Sequence, residues 1–172
     1  MIIDPLKEST AAFVSFDEAT QFLEKMCGIY GVRHLSYWSL SLAAGLPDEV
    51  TWIATYDPAY MSHYMRNYTP VGDPAFESTE GLIDWASSSA SDSALGAIHR
   101  AAEKYGIARH GLSYAFREGA DRTLMFSVNI ECDDAQWPVE KERMLGVFRG
   151  LAHYFHSRAR PLVESRRAKS AA

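Results

Sequence analysis

The residues with the clearest chemical potential are four tyrosines in one short stretch. Tyr56, Tyr60, Tyr64 and Tyr68 follow one another at intervals of four residues. Because residues i and i+4 lie on one side of an α-helix, this spacing predicts a stripe of rings on a short helix. Such a stripe is typical of a helix packed on an apolar core. It also fits the wall of a pocket, with hydroxyls and aromatic faces around a mostly apolar small molecule.

Three further side chains could complete such a pocket. Asp73, which precedes a proline, supplies a carboxylate, and Trp85 follows it along the chain. Ser127 is predicted in the middle of a strand, on the same face as Met125. If this face lines a cavity, the serine offers a directional hydrogen bond with little steric demand. If it faces solvent, the serine needs no special role.

The sequence carries no recognisable catalytic or metal-binding motif. It lacks a nucleophile elbow, a phosphate-binding glycine loop, a dinucleotide fingerprint and zinc-ligand spacing. His153 and His156 are three residues apart and could share a ligand, but no cysteine or carboxylate is placed to complete a site. His63 and His99 are predicted in helices, with surface or core packing as their expected role. We therefore predict a protein that is not an enzyme and that needs no metal or cofactor.

Composition points to one globular domain and argues against a nucleic-acid-binding surface over the chain as a whole. The 172 residues are 47% hydrophobic and 23% charged, which is enough to form a core. The formal net charge of −5 disfavours an extended nucleic-acid-binding surface. The first residues do not form an export signal, and no apolar run approaches a membrane span. The expected location is cytoplasmic, with no membrane partner.

Hydrophobic periodicity predicts helices at both ends of the chain and two hairpins between them. A capping box at residues 15–18 precedes an apolar helical repeat. A period of two over residues 34–42 and a β-prone segment at 50–55 form the first predicted hairpin, with a turn between them. A second hairpin is predicted over residues 111–130. The last helix should begin at Asp133 or Asp134 and present an amphipathic face.

Prolines and glycines divide the remaining segments. Pro58 is expected to start the tyrosine helix, and Asp73 to cap another short helix that Gly81 ends. A further helix is predicted over residues 93–105. Pro161 should bend or end the last helix.

The predicted fold is α+β, an α-β-α sandwich with a mainly antiparallel central sheet. Hairpins imply antiparallel pairing, and helices at both ends and between them can cover both sheet faces. We expect one domain over residues 1–165. Residues 166–172 have no core positions and are expected to be a frayed tail or the start of a linker.

One ordered set of residues resembles, in order and nearly in spacing, the ligand-binding domain of LuxR-type quorum-sensing regulators: Tyr56, Tyr60, Tyr64, Asp73-Pro74, Trp85 and Gly111. The first hairpin and the Met125-Phe-Ser-Val pattern also fit, so the resemblance covers about residues 15 to 160. It implies a cytoplasmic, GAF- or PAS-like sensor domain that encloses an acyl-homoserine lactone.

The resemblance also implies roles for single residues. Asp73 would accept the amide N–H of the ligand, and Tyr56 and Ser127 would bond its amide carbonyl oxygen. Trp85 would pack on the lactone ring, and Tyr64 would lie against the acyl chain. The acyl pocket would be lined by Ser36, Trp38, Leu40, Ala75, Ser113 and Met125.

Two features separate this sequence from the family pattern. Tyr60 stands where most acyl-lactone receptors have a tryptophan whose indole N–H reaches the lactone carbonyl. The headgroup could therefore be shifted, or the ligand could be another class of small signal.

The second feature is the size of the lining residues. Trp38 and Met125 are bulky, and packed interiors do not tolerate overfilling. We therefore predict a short, branched or aromatic acyl group. For Gly111 the resemblance implies a tight backbone position where the sheet resumes.

Full-length members of this family carry a helix-turn-helix domain for DNA. Nothing after Arg166 could form one, so we expect either a ligand-binding fragment or a natural stand-alone domain, with the fragment favoured. DNA would be contacted only through that other domain. A homodimer is expected, with the long last helix and its basic end as candidate contacts. We also expect the ligand to stabilise the fold, which would leave the ligand-free form poorly soluble.

Two alternatives belong to other functional classes. One is a GAF- or PAS-like sensor of a non-lactone compound, such as a plant-derived signal. The other is an enzyme that acts on acyl lactones, which the missing nucleophile and metal ligands disfavour.

Overall fold

The computed structural model describes residues 10–43, 46–68, 81–88 and 94–170. In these ranges the secondary structure comprises α1 (Phe16–Tyr30), β1 (His34–Ala43), β2 (Leu46–Ala54), α2 (Pro58–Asn67), β3 (Gly81–Asp84), α3 (Trp85–Ser88), α4 (Ala94–Glu103), β4 (His110–Glu118), β5 (Arg122–Ile130) and α5 (Trp137–Ser170). The strands form one antiparallel sheet in the order β2-β1-β5-β4-β3. The predicted α+β class is confirmed.

Local sequence signals set the ends of α1. The Ser15 hydroxyl accepts a hydrogen bond from the Glu18 backbone N–H at 3.1 Å. The Glu18 carboxylate in turn accepts from the Val14 N–H at 2.7 Å, so the predicted capping box forms. Gly31 ends the helix in the left-handed region, with φ of 62°. A residue with a Cβ would be strained there.

The strand register places the side chains in rows across the sheet. Ser36 on β1 lies opposite Ser127 on β5, which lies opposite Ser113 on β4. Two residues further along β1, Trp38 lies opposite Met125. Because side chains alternate between faces, both rows lie on the same face of the sheet.

Helices cover both faces of this sheet. On one face, α1 and α5 pack against fully buried side chains such as Tyr37 and Phe126, with Phe155 of α5 between them. On the other face, Trp38 and Met125 join a second cluster with residues of α2 and α4. The α1/α5 side forms the larger core, and the second cluster surrounds the site described below.

Two predicted boundaries around the sheet were wrong. Gly81, predicted to end a helix, opens strand β3 with φ of 129°. This four-residue strand pairs with β4 at the sheet edge, and it is too short to give a clear alternation in the sequence. β2 begins at Leu46, so Pro47 lies in a strand and not in a turn. The strand tolerates a proline because β2 is at the other edge of the sheet. The short helix predicted after Asp73 lies outside the described residues.

The last helix does not end at Pro161 but continues to Ser170. Ala159 and Val163, on either side of the proline, are buried against the core. Further along, the Arg166 guanidinium lies 5.5 Å from the centroid of the Phe16 ring of α1. Tertiary contacts thus hold a helix that the local sequence would interrupt, and residues 166–170 are helical where we expected fraying. Within the described ranges, no helix combines the length and apolarity needed to cross a membrane.

Candidate ligand-binding site

A cavity lies between the sheet and the layer that contains α2 and α4. Its empty space is about 580 Å³, including the part open towards solvent. The lining is mostly aromatic and aliphatic, with several hydroxyl groups, which is typical of small-molecule sites. Its lining residues are Ser36, Trp38, Tyr56, Tyr60, Tyr64, Ile83, Trp85, Ile98, His99, Ala102, Ile107, Ser113, Met125 and Ser127.

The tyrosine stripe forms one wall of this cavity. The Asp57 carboxylate caps α2 by accepting from the Ala59 N–H at 2.7 Å. Consecutive tyrosine rings along the stripe are 5.4, 6.2 and 6.1 Å apart between centroids. The first three rings line the cavity, whereas Tyr68 is not part of the lining. Only Tyr60 and Tyr64 lie within the helix, because Tyr56 precedes its cap and Tyr68 follows its last residue, so the predicted four-ring helix was too long. The stripe therefore serves both the apolar cluster and the cavity wall.

The Trp85 side of the cavity contains a chain of hydrogen bonds. The indole N–H of Trp85 donates to the Ser113 hydroxyl at 2.9 Å. The Ser113 and Ser127 hydroxyls are 2.8 Å apart. Since Ser113 accepts from the indole, its own proton can go to Ser127. The Ser127 proton is then available to a bound molecule.

A second chain of hydrogen bonds runs beside the first. The Trp38 indole N–H donates to the Ser36 hydroxyl at 3.3 Å, and that hydroxyl donates to the Tyr56 hydroxyl, also at 3.3 Å. Burial raises the pKa of Tyr56 to about 12, so the phenol keeps its proton. Because Ser36 and Ser127 are directly opposite in the sheet, both chains end in hydroxyl donors on one region of the wall.

Gly111 occupies the tight backbone position that was expected of it. A Cβ at this residue would lie 2.6 Å from Cε3 of Trp85 and 2.7 Å from the backbone oxygen of Val128. The backbone oxygen is part of the central sheet and cannot move aside easily. A glycine at position 111 therefore allows Trp85 to approach the sheet and form its bond to Ser113.

His99 of α4 is a lining residue that the sequence analysis missed. Its ring centroid lies 5.0 Å from that of Trp85, with an angle of 30° between the planes. Burial lowers the pKa of His99 to about 4, so the imidazole is neutral at pH 7. Ile98 and Ala102 of the same helix are buried, and a histidine beside these apolar positions was a usable signal in the sequence.

Most of the predicted site residues surround this one cavity. Leu40 belongs to the same buried cluster but is not part of the lining. Asp73 and Ala75 lie outside the described residues. The residues that were predicted and also line the cavity are Ser36, Trp38, Tyr56, Tyr60, Tyr64, Trp85, Ser113, Met125 and Ser127. The lining residues that were not predicted for the site are Ile83, Ile98, His99, Ala102 and Ile107.

The two histidines of α5 lie on the opposite face of the sheet and do not share a metal site. The Tyr114 hydroxyl is 3.3 Å from Nε2 of His153. The Tyr37 hydroxyl is 2.9 Å from Nδ1 of His156, whose Nε2 is 3.3 Å from the Glu118 carboxylate. Over the described part of the chain, no group of three or more His, Cys, Asp or Glu side chains could hold a metal ion.

A family model described as the autoinducer-binding domain matches residues 15–159. The chain belongs to the autoinducer-binding domains of LuxR-type regulators. These domains act as sensors in quorum sensing and transcription regulation, and they are not enzymes. The cavity is thus the candidate site of a small-molecule autoinducer, and the family assignment confirms the predicted sensor class.

Several solved structures share the fold. The N-acylhomoserine lactone-dependent LuxR-family transcription factor CepR2 from Burkholderia cenocepacia superposes with a TM-score of 0.67 at 15% identity, over 95% of this chain and 94% of that one. Escherichia coli SdiA gives a TM-score of 0.52 at 16% identity, over 80% and 62%. The LBD domain of VqsR from Pseudomonas aeruginosa gives 0.52 at 14%, over 83% and 85%. At these identities the likeness shows the fold. No curated protein sequence matches significantly.

Proposed function

We propose that this autoinducer-binding domain senses an acyl-homoserine lactone with a short, branched or aromatic acyl group. The observation that carries this proposal is the pair of hydroxyl donors, Tyr56 and Ser127, at the ends of two neighbouring hydrogen-bond chains. They lie in an otherwise mostly apolar cavity. One polar region beside a larger apolar region matches a ligand with an amide and an acyl chain.

In this arrangement each part of the ligand has a partner. The amide carbonyl accepts hydrogen bonds from Tyr56 and Ser127, whose protons the two chains leave available. The lactone ring lies against Trp85, and the acyl group extends along Tyr64. Asp73 is proposed, from the family resemblance, to accept the amide N–H.

The aromatic residues on the acyl side support a compact acyl group. The Trp38 ring centroid lies 5.4 Å from that of Tyr64 and 5.9 Å from that of Trp52. Met125 lies opposite Trp38 in the sheet and is also buried. A long straight chain would have to displace these packed rings, which is costly in a dense interior.

In a full-length regulator, ligand binding here would control a separate DNA-binding domain. We propose that the domain forms a homodimer, with α5 and its basic end as the candidate contact. CepR2 is described as dependent on N-acylhomoserine lactone, and its fold is similar to that of this chain.

Direct titration of the purified domain tests the proposal. Isothermal titration would compare butanoyl-, hexanoyl-, dodecanoyl- and cinnamoyl-homoserine lactone. We expect the short-chain and aromatic ligands to bind more tightly than the dodecanoyl ligand. A preference for the dodecanoyl chain would contradict the size argument, and failure of all four to bind would contradict the ligand class.

Tyr60 favours a second candidate, a sensor of a non-lactone small molecule. Its ring packs edge-on against Tyr56, with centroids 5.4 Å apart, and lies 5.7 Å from the ring of Tyr105. By the family resemblance, most acyl-lactone receptors have a tryptophan at this position, so the headgroup would meet a phenol in place of an indole. Mass spectrometry of small molecules extracted from the purified domain separates the candidates, because only an acyl-homoserine lactone yields a homoserine lactone fragment ion.

A further inference from the structure

His99 is a polar group in the cavity wall that neither hydrogen-bond chain uses. Its ring packs on Trp85, with 5.0 Å between centroids. Its Nδ1 is buried and has no hydrogen-bond partner among the residues that the structure describes. A buried nitrogen without a hydrogen bond is destabilising, so a ligand that supplies a hydrogen-bond partner in the cavity would stabilise this side chain.

The surroundings of His99 determine which partner would fit. Its neighbours in the lining include Ile98, Ala102 and Ile107, which are apolar. Burial lowers the pKa of the imidazole, which keeps it neutral, with one N–H donor and one lone-pair acceptor. A half-turn about the Cβ–Cγ bond exchanges Nδ1 with a ring carbon, so either ring edge can present a nitrogen. A neutral oxygen-containing group therefore matches this position better than a cation.

We propose that His99 determines headgroup specificity by donating a hydrogen bond from its imidazole to an oxygen of the ligand's headgroup ring. This inference rests on the proposed function, because it assigns a further contact to the same ligand. A headgroup that contacts Trp85 in the cavity also lies beside the imidazole that packs on Trp85. Packing on Trp85 holds the plane of the imidazole against the headgroup, and the domain thereby selects an oxygen-containing ring over a hydrocarbon ring of the same size.

A matched pair of probes isolates this contact. N-hexanoyl-homoserine lactone and N-cyclopentylhexanamide share the acyl amide and the five-membered ring, but the second lacks both lactone oxygens, the one in the ring and the one on the carbonyl. Isothermal titration would measure both affinities for the wild type, His99→Phe and His99→Gln. Phenylalanine keeps an aromatic ring against Trp85 and removes both nitrogens, whereas glutamine keeps a donor and an acceptor.

We expect the wild type to prefer the lactone by roughly tenfold or more, the range for one lost hydrogen bond in a buried site. In His99→Phe this preference should fall by about tenfold, through weaker lactone binding, while His99→Gln should retain part of it. His153→Phe, the same change on the opposite face of the sheet, serves as the control and should leave the preference unchanged.

Three outcomes would overturn the inference, and only the second also overturns the proposed function. If His99→Phe binds the lactone with the wild-type preference, the role of His99 is wrong and the proposed function stands. If the wild type binds neither probe, the proposed function fails and the inference fails with it. Nitrogen-15 spectra of the wild-type histidines need no variant. The lactone should shift the His99 ring nitrogens as a hydrogen bond does and the cyclopentyl amide should not; equal spectra would overturn the inference.

Discussion

The contact between Gly111 and Trp85 shows how single residues set the geometry of the cavity. Trp85 reaches Ser113 only because the backbone at position 111 carries no Cβ. The hydroxyl chains depend in the same way on individual atoms, since removing one oxygen changes which proton faces the cavity. Residue-level predictions therefore concern one atom or one group at a time.

Gly111→Ala should destabilise the domain. Its Cβ would meet Trp85 at 2.6 Å and the Val128 oxygen at 2.7 Å, so the side chain or the sheet must shift. We expect a loss of about 1–3 kcal/mol in the free energy of unfolding, measured by urea denaturation. Gly28→Ala is the matched control, because a Cβ there meets nothing within 4 Å and the residue lies in α1. That change should be neutral or stabilising. Equal stability of Gly111→Ala and wild type would refute the steric argument.

Tyr56→Phe should weaken acyl-lactone binding without unfolding the domain. The change removes the hydroxyl that receives the bond from Ser36 and that faces the ligand. We expect roughly a five- to fiftyfold loss of affinity for N-hexanoyl-homoserine lactone, measured by titration. Tyr68→Phe removes the hydroxyl of the tyrosine outside the lining and should change affinity little. Similar losses of affinity in both variants would contradict the role assigned to the Tyr56 hydroxyl.

The free energy of unfolding should fall as the pH drops from about 6.5 to about 4, in part because of His99. Its pKa is lowered from 6.5 to about 4 in the folded state, so the unfolded chain binds the proton first. Stability therefore rises with pH across this window, by at most about 1.4 kcal/mol per pH unit for one group. His34 and His156, whose pKa values burial also lowers, contribute in the same direction. Urea denaturation at several pH values should show a smaller slope for His99→Phe. An unchanged slope would contradict the assignment.

At the scale of helices and strands, the sequence predicted the features that depend on residues close together in the chain. The capping box of α1 and the pairing within both hairpins follow from residue spacing and form as expected, although β2 begins earlier than its turn residues predicted. Strand β3 was not predicted, because four residues are too few to show an alternation of apolar and polar side chains. Its pairing with β4 is a tertiary contact that the local sequence does not show. The continuation of α5 past Pro161 is likewise set by packing and not by propensity.

Pro161→Ala should stabilise α5. Proline lacks the N–H that would bond the carbonyl four residues earlier, and its ring crowds that turn. Because Pro161 is exposed and lies inside the helix, alanine should add about 1–3 kcal/mol to the free energy of unfolding. Val163→Ala on the buried side should do the opposite. Circular dichroism during thermal unfolding measures both. A destabilised Pro161→Ala would mean that the helix requires the geometry that proline imposes.

At the scale of the whole molecule, the cavity lies inside the second of two apolar clusters. The sequence could identify the tyrosine wall, Trp85 and Ser127, because their order and spacing along the chain resemble those of the family. It could not show that Ser36, Ser127 and Ser113 form one row, since that depends on the register of three strands. His99 was missed because its contact with Trp85 joins two separate helices, and the apolar pattern of either helix alone does not show that contact.

A ligand that fills this cavity would act as part of the core. If it binds only the folded domain, it stabilises that state by mass action, by about 2.7 kcal/mol at a concentration one hundred times its dissociation constant. This explains our expectation that the ligand-free domain is poorly soluble. Expression with the ligand in the medium should raise the soluble yield.

The most direct test of the central claim is the unfolding temperature of the purified domain, Tm, as a function of N-hexanoyl-homoserine lactone concentration. If the cavity binds acyl-homoserine lactones, Tm should rise steadily with the logarithm of the ligand concentration. At equal concentrations, the rise should be smaller for the dodecanoyl ligand. A Tm that stays constant for every acyl lactone up to its solubility limit would contradict the proposed function.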